Sequence, residues 1–278
     1  MKIFVWILLF LLVINVIAAL ITVFRKPRSI SSVLAWMMTL IFLPGIGFII
    51  YLFCGRGIDG QEVFKLSDDE KQMVQRIKEK VDVDNKKAGR DKRYDLLYDA
   101  KVLNRYFRNM DASPLAKRNS LQLFTDGQEK FQALFEDIRA AKETVHVEYY
   151  AFFNDTIGNQ FLDVLIEKLH EGVEVYLIYD PWGSPGANKK FFARYVDAGG
   201  KVAPFITSRD MIRKTRLNYH LHRKIVVIDG KIGWTGGFNV GDQYLNVTEK
   251  FGYWRDTHIR LVGTAVFSLQ EIFIMDWN

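Results

Sequence analysis

Residues His222 to Asn239 read HRKIVVIDGKIGWTGGFN. A histidine, a lysine two positions on, an aspartate at 229, glycines at 236 and 237 and an asparagine at 239 can together form a small site for attacking a phosphodiester. Such a diester is anionic and resists attack. Chemistry on it needs a nucleophile, positive or N–H groups for the phosphoryl oxygens, and a proton for the departing alcohol. His222 can attack phosphorus if one ring nitrogen is unprotonated, and Lys224 puts a point charge on the oxygens. Asn239 adds an amide donor. Gly236 and Gly237 remove two side chains, which lets backbone N–H groups come close to an anion. A carboxylate on the other nitrogen of His222 would hold the right tautomer. Glu148, Asp242 and Asp256 are the candidates, and spacing does not choose among them.

A second histidine would be needed to protonate the leaving group. The pattern occurs once: His146, His170, His220 and His258 do not begin another His-x-Lys. His220 reads as a packing or supporting residue. His258 and Asp256, two apart on an expected strand, fit either the edge of the site or a structural pairing. There is one cysteine, Cys54, and no Cys/His spacing suited to zinc, so neither an intrachain disulfide nor a metal is expected.

The pattern lies on an expected hairpin. His222–Ile228 reads as one strand, Asp229-Gly230 as the turn and Lys231–Thr235 as the return. His222 and Lys224 would then share a face. Ile225 to Ile228 are apolar on both faces, which marks a buried central strand. Upstream, strands at Leu121–Phe124, Thr144–Phe153, Val173–Tyr179 and Lys201–Phe205 alternate with helices. These helices run from Asp126-Gly127 (stripe Phe131, Leu134, Phe135, Ile138), over Ile157–Glu171 and over Asn188–Ala198. The alternation predicts an α/β fold with a mixed or parallel sheet flanked by helices. Trp182 and Trp234 fall near strand ends, and Tyr149, Tyr150, Phe152 and Phe153 read as core.

The front of the chain differs. Ile3 to Phe24 and residues 29–55 are two apolar runs, separated by Arg25, Lys26, Pro27 and Arg28. Each is long enough for a membrane helix. A cleaved signal peptide is the alternative for the first, and Pro44, Gly45 and Gly47 are expected to kink the second or make it re-entrant. Residues 67–81 and 94–109 suggest helices in a charged linker. The domains expected are therefore 1–57 (two transmembrane helices with a basic hairpin), 58–118 (linker) and 119–278 (the domain with the site). Residues 1–119 hold 20 Lys and Arg against 12 Asp and Glu, whereas the rest is slightly acidic. That distribution suits an anionic bilayer and argues against a nucleic-acid groove.

The stretch from about Asn119 to Asn278 resembles the phospholipase D superfamily, the HKD group, and more closely the N-terminal half of a bacterial cardiolipin synthase. The resemblance rests on His222, Lys224, Asp229, Gly236, Gly237 and Asn239. It is supported by His146-x-Glu148-Tyr149-Tyr150, Asp180-x-x-Gly183-Ser184, Phe238-Asn-Val-Gly-Asp242, Trp254-Arg-Asp-Thr-His258 and the paired apolar runs. It implies a phospholipase D-like sheet behind two transmembrane helices in a bacterial plasma membrane. It also implies condensation of two phosphatidylglycerol molecules to cardiolipin and glycerol through a phosphohistidine, without metal or cofactor. His222 would be the nucleophile, Lys224 and Asn239 would hold the phosphate, and Asp229, the motif aspartate, would complete the catalytic set in a mainly structural role. Family members carry two such motifs. The single motif here leads to the expectation that a second copy of the chain or a missing C-terminal half completes the site, and that the half alone dimerises or aggregates. A membrane-anchored hydrolase and a non-catalytic lipid-binding partner or inactive half are the alternatives.

Overall fold

The computed structural model describes residues 29–43, 45–55, 116, 118–206, 220–247 and 251–277, with isolated positions between 6 and 106. The described residues fall into two compact units, one of those before residue 64 together with Ile206 and one that holds the sheet.

In the first unit, helix α1 (Ile30–Phe42) starts at Ser29, whose side chain accepts from the Ser32 N–H. It stops at Leu43. Gly45 takes φ +81°, and the short helix α2 (Ile46–Ile50) runs on into a π-helical turn at Tyr51–Gly55. Tyr51 is buried and meets Trp36 edge-on, 5.1 Å between ring centroids. The apolar run at 29–55 is thus divided where its Pro-Gly pair predicted a kink. Among the described residues no helix is long and apolar enough to cross a membrane. The run at Ile3–Phe24, the linker helices and most of residues 58–118 lie outside the described residues.

The second unit is built on one seven-stranded sheet. Its strands are β1 (Ser120–Phe124), β2 (Thr144–Tyr149), β3 (Glu174–Tyr179), β4 (Lys201–Pro204), β5 (Lys224–Ile228), β6 (Ile232–Gly236) and β7 (His258–Val262), in the spatial order β1-β7-β6-β5-β2-β3-β4. β2, β3 and β4 run parallel, and the remaining pairs are antiparallel. Helices α3 (Gly127–Ala140), α4 (Thr156–His170) and α5 (Lys189–Asp197) cover one face, and α6 (Val266–Trp277) packs on the other. This is the mixed sheet flanked by helices expected from the alternating periodicities.

Side-chain alternation sorts the two cores. Val145, Val147 and Tyr149 of β2, with Val226 and Ile228 of β5, meet Phe131, Leu134, Ile138, Phe161 and Leu165 of the helices. Ile225 and Val227 point the other way, toward Val266 and Leu269 of α6. All five residues of β5 are buried, as a central strand requires.

Helix starts are fixed by side chains that accept from otherwise orphaned N–H groups. Asp126 caps α3, Asp155 caps α4, and Asn188 accepts from the Lys190 and Phe191 N–H groups at 3.0 and 3.1 Å to cap α5. Asn188→Ala is expected to cost about 1 kcal/mol, read as a lowered denaturant midpoint with an unchanged slope.

Two strand ends differ from expectation. β2 stops at Tyr149, because the next residues bond outside the ladder: Phe152 N–H donates to Ser184 Oγ, and Ala151 N–H to Asn239 Oδ1. β5 begins at Lys224, so His222 precedes the strand instead of starting it.

Candidate active site

The ends of β2, β3 and β6 and the starts of β5 and β7 meet at one edge of the sheet. Tyr149 pairs with Lys224, and Gly236 pairs with His258. A site outside the carboxyl ends of parallel strands is a common ligand position in such sheets.

His222 and Lys224 come together there on one aromatic ring. The Tyr150 ring lies 4.7 Å from the His222 ring and 5.2 Å from Lys224 Nζ. His222 is exposed, whereas Lys224 is only 4% exposed. Partial burial and then the Lys224 charge push the His222 imidazole below its ordinary pKa, and the Asp180 carboxylate opposes them. The ring therefore keeps its neutral, nucleophilic form to lower pH. Burial also lowers the Lys224 ammonium, with Asp256 holding it up.

Gly236 and Gly237 make room on this edge. A Cβ on Gly237 would sit 1.9 Å from Asp256 Oδ1, and one on Gly236 would sit 2.7 Å from His258 Nδ1. The Gly237 N–H already donates to the Thr257 carbonyl at 2.8 Å. What the glycines visibly do is admit the Asp256–His258 segment beside Lys224. Gly237→Ala is accordingly expected to displace Asp256 and to weaken anion binding at Lys224 toward alkaline pH, because the carboxylate that keeps the Lys224 ammonium protonated is lost. Titration with inorganic vanadate would measure it.

Asn239 is buried and stitched in place. Its Oδ1 accepts from the Ala151 N–H (3.1 Å) and its Nδ2 donates to the Tyr244 hydroxyl (2.7 Å). The side chain retains a single further N–H for a ligand. His258 is fully buried with neither ring nitrogen hydrogen-bonded. Burial, reinforced by the nearby Lys130 and Lys224 charges, keeps it neutral far below the ordinary range.

Three residues named from the sequence belong elsewhere. Asp229 lies at the opposite end of β5 from Lys224, about 17 Å along an extended strand. Its carboxylate accepts from the backbone N–H groups of Lys142, Glu143 and Thr144. It does not join the site, so its place among the catalytic residues is corrected to a structural one. Asp242 accepts from the Thr156 and Ile157 N–H groups at the start of α4, which takes it from the list of possible partners for His222. Glu148 is fully buried, and the alternation of β2 sets it on the face toward α6 with His146, whose ring meets Gln270 and Phe273 of that helix. Of the three carboxylates, Asp256 alone acts on the Lys224 charge.

Two residues of the site region were not among the candidate site residues read from the sequence. Asp180, fully buried, accepts from the Trp182 and Gly183 N–H groups and from the Leu221 N–H at 2.8 Å. It thereby holds the turn after β3 against the segment that leads into His222, and His220 Nδ1 lies 3.5 Å from it. The Asp-Pro-Trp-Gly string was the available signal, since an aspartate at such a turn bonds the backbone two residues on. Lys130 is fully buried on α3, with Nζ 2.9 Å from the Tyr149 hydroxyl. Burial pushes its ammonium well below the ordinary range. Its position on the apolar stripe of α3 was its only trace.

Comparison with known proteins fits this geometry. Residues 134–263 match the family described as cardiolipin synthase, PLD-like domain, and residues 13–56 match the phospholipase D-nuclease N-terminal family. A cardiolipin synthase of Listeria monocytogenes is 42% identical over 284 residues, covering 98% of this chain and 57% of its own. The major cardiolipin synthase of Bacillus subtilis is 41% identical over 268 residues, covering 96% of this chain and 55% of its own. The chain thus spans little more than half the length of these relatives. Among solved structures, the phospholipase D family member Nuc from Salmonella typhimurium aligns with a TM-score of 0.45 at 16% identity, over 58% of this chain and 95% of that one.

Proposed function

We propose, from the match of residues 134–263 to the cardiolipin synthase, PLD-like domain family, that the chain supplies one catalytic half of a phosphatidyltransferase that makes cardiolipin from phosphatidylglycerol. His222 attacks the phosphorus of a first phosphatidylglycerol. The bond from phosphorus to the glycerol headgroup oxygen breaks, and glycerol leaves with a proton from an acid. A hydroxyl of a second phosphatidylglycerol then attacks phosphorus, gives up its proton and releases the imidazole. Lys224 and the remaining Asn239 N–H steady the phosphoryl oxygens, where charge gathers in each transition state. Gly236 and Gly237 serve by making room for the Asp256–His258 segment, whose Asp256 carboxylate helps to keep Lys224 charged.

The observation that carries this reading is the pairing of an exposed imidazole with a nearly buried lysine on one tyrosine ring. Among the described residues, an acid for the leaving glycerol is the unmet need. His220 faces Asp180, and His258 is sealed in the interior. A second motif, from another copy of the chain or from the portion that the longer relatives contain, fits that need. The apolar runs before residue 57 would anchor the assembly in a bacterial plasma membrane, next to its lipid substrate.

The test is to incubate the protein in phosphatidylglycerol vesicles. Cardiolipin with an equal amount of glycerol supports the proposal. Phosphatidic acid in place of cardiolipin would make it a hydrolase. No turnover, even with the remaining portion of a longer relative supplied in trans, would leave a lipid-binding subunit. The lowered His222 pKa adds a pH prediction. Only the neutral ring attacks, so the limb of the rate profile due to this ring is lost as pH falls through a pKa below the ordinary ~6.5. A His222 titration above that value would contradict the assignment.

A further inference from the structure

Arg223 stands between His222 and Lys224 in the chain, yet its side chain leaves the site. Its guanidinium is ion-paired with Asp276 in the last turn of α6, and its Nη1 lies 4.0 Å from Glu148 Oε1. Asp276 is 1% exposed at its side chain, Glu148 is fully buried, and Arg223 is 39% exposed. Neither oxygen of Glu148 has a hydrogen-bond partner. A buried carboxylate in that state is costly, and an apolar residue would fill the place more cheaply. The backbone at this point is tied to the same stretch of β2, because the Arg223 carbonyl accepts from the Tyr150 N–H at 3.0 Å. Tyr150, two residues after Glu148, is the ring on which His222 and Lys224 rest.

We infer that Glu148 is a positioning residue for the transfer proposed above: with Asp276 it clasps the Arg223 guanidinium and so fixes the segment from which His222 and Lys224 project. The clasp works from the face of the sheet opposite the reaction and touches no reacting atom. Two carboxylates share one cation, so the group is anionic when both are ionised and neutral when one holds a proton. The surroundings of Glu148 add no second cation among the described residues. Its cross-strand neighbours are Ile178 of β3 and Ile225 of β5. On its own strand His146 is hydrogen-bonded to Gln270, and α6 presents Phe273 and Asp276. Burial pushes the Glu148 carboxyl up to about 7 against the pull of Arg223. Protonation of Glu148 as pH falls through that value therefore removes half of the charge that holds Arg223.

The inference rests on the proposed transfer only for its kinetic readout, and a second readout is independent of turnover. Histidines labelled with carbon-13 in the full chain, in phosphatidylglycerol nanodiscs, report the His222 ring by NMR, assigned with a His222→Asn sample. The ring resonance is expected to show its own titration below 6.5 and a second inflection near 7 passed on from the clasp. Glu148→Gln, which keeps shape and removes charge, should erase the second inflection. It should also lower kcat about tenfold while KM stays within about twofold, as for a lost alignment. Should Glu148→Gln fail to fold, Arg223→Gln at its half-exposed position decides by the same titration. Persistence of the inflection in the folded variants, or its absence from the unaltered chain, overturns the inference. Loss of the inflection in a protein that never turns over would uphold the clasp and sink only the assigned reaction.

Discussion

His222→Ala is expected to abolish phosphatidyl transfer, by at least about three orders of magnitude in kcat/KM, with stability unchanged to within about 0.5 kcal/mol. The two halves of that expectation have separate causes. A nucleophile that forms a covalent intermediate has no substitute, because the direct displacement loses the two-step route altogether. The imidazole is exposed and lies against a tyrosine ring outside any strand, so its removal opens no cavity. Phosphatidylglycerol carrying phosphorus-32 gives the decisive measurement. The unaltered protein, quenched during turnover in alkali, should retain label on the protein that acid releases. The alanine variant should retain none. Residual transfer within a factor of ten of the original would remove His222 from the mechanism. Lys224→Met is the instructive contrast. It deletes one positioned charge and should cost about 10² to 10³ in kcat. Because Lys224 is nearly buried, the variant need not lose stability, since an uncharged side chain of similar length occupies the same space at lower desolvation cost.

Much of this arrangement was legible in the residues, for reasons that also mark where legibility stopped. Apolar spacing encodes which face of an element is buried. Phe131, Leu134, Phe135 and Ile138 accordingly appear on the inner side of α3, and Ile225 to Ile228 appear in the middle of the sheet. Turn and cap chemistry is local too: Asp229 and Gly230 take φ +50° and +60°, as a tight hairpin turn requires, and Asn188 and Asp126 cap the helices they precede. Partnerships between a side chain and a distant backbone leave no such mark. Asp242 reaches the start of α4 across 85 residues, and nothing in its neighbourhood distinguishes that task from supporting a histidine. Asp180 carried a turn signal but no hint of its bond to Leu221. The strand end at Tyr149 was misjudged because Tyr150 to Phe153 are good strand residues, yet after the Tyr150 bond to Arg223 the N–H groups of Ala151 and Phe152 go to the Asn239 and Ser184 side chains and that of Phe153 to Val240 in an isolated bridge. In the site, the types and spacing of His222, Lys224 and Asn239 announced the chemistry. Which carboxylate stands beside them depends on how β7 docks, and that is a tertiary fact.

Asp229→Ala should do the reverse of His222→Ala, lowering stability by about 2 to 4 kcal/mol while leaving kcat unaltered where the protein remains folded. Three backbone donors, from Lys142, Glu143 and Thr144, converge on this carboxylate at 2.8 to 2.9 Å. Bonds to a charged acceptor are stronger than neutral ones, but residues 142 and 143 are exposed, so water recovers part of the loss. Alanine adds a further cost of about 1 kcal/mol, because φ at this position is +50° and a Cβ without a polar group disfavours it. Asp229→Asn should fall about midway, since an amide keeps one acceptor and suits the left-handed turn. Burial raises the Asp229 carboxyl, yet the three N–H donors outweigh it and hold the group below its ordinary value. The stabilisation is therefore fully present above the unfolded pKa of about 3.9 and is lost as pH falls through the lower folded value. Denaturant melts between pH 2 and 7 should show the gap between the unaltered protein and the alanine variant closing only at the acid end. A kcat that drops a hundredfold in a stable Asp229→Asn protein would return this aspartate to the catalytic machinery, and with it the view that the far end of β5 takes part in the reaction.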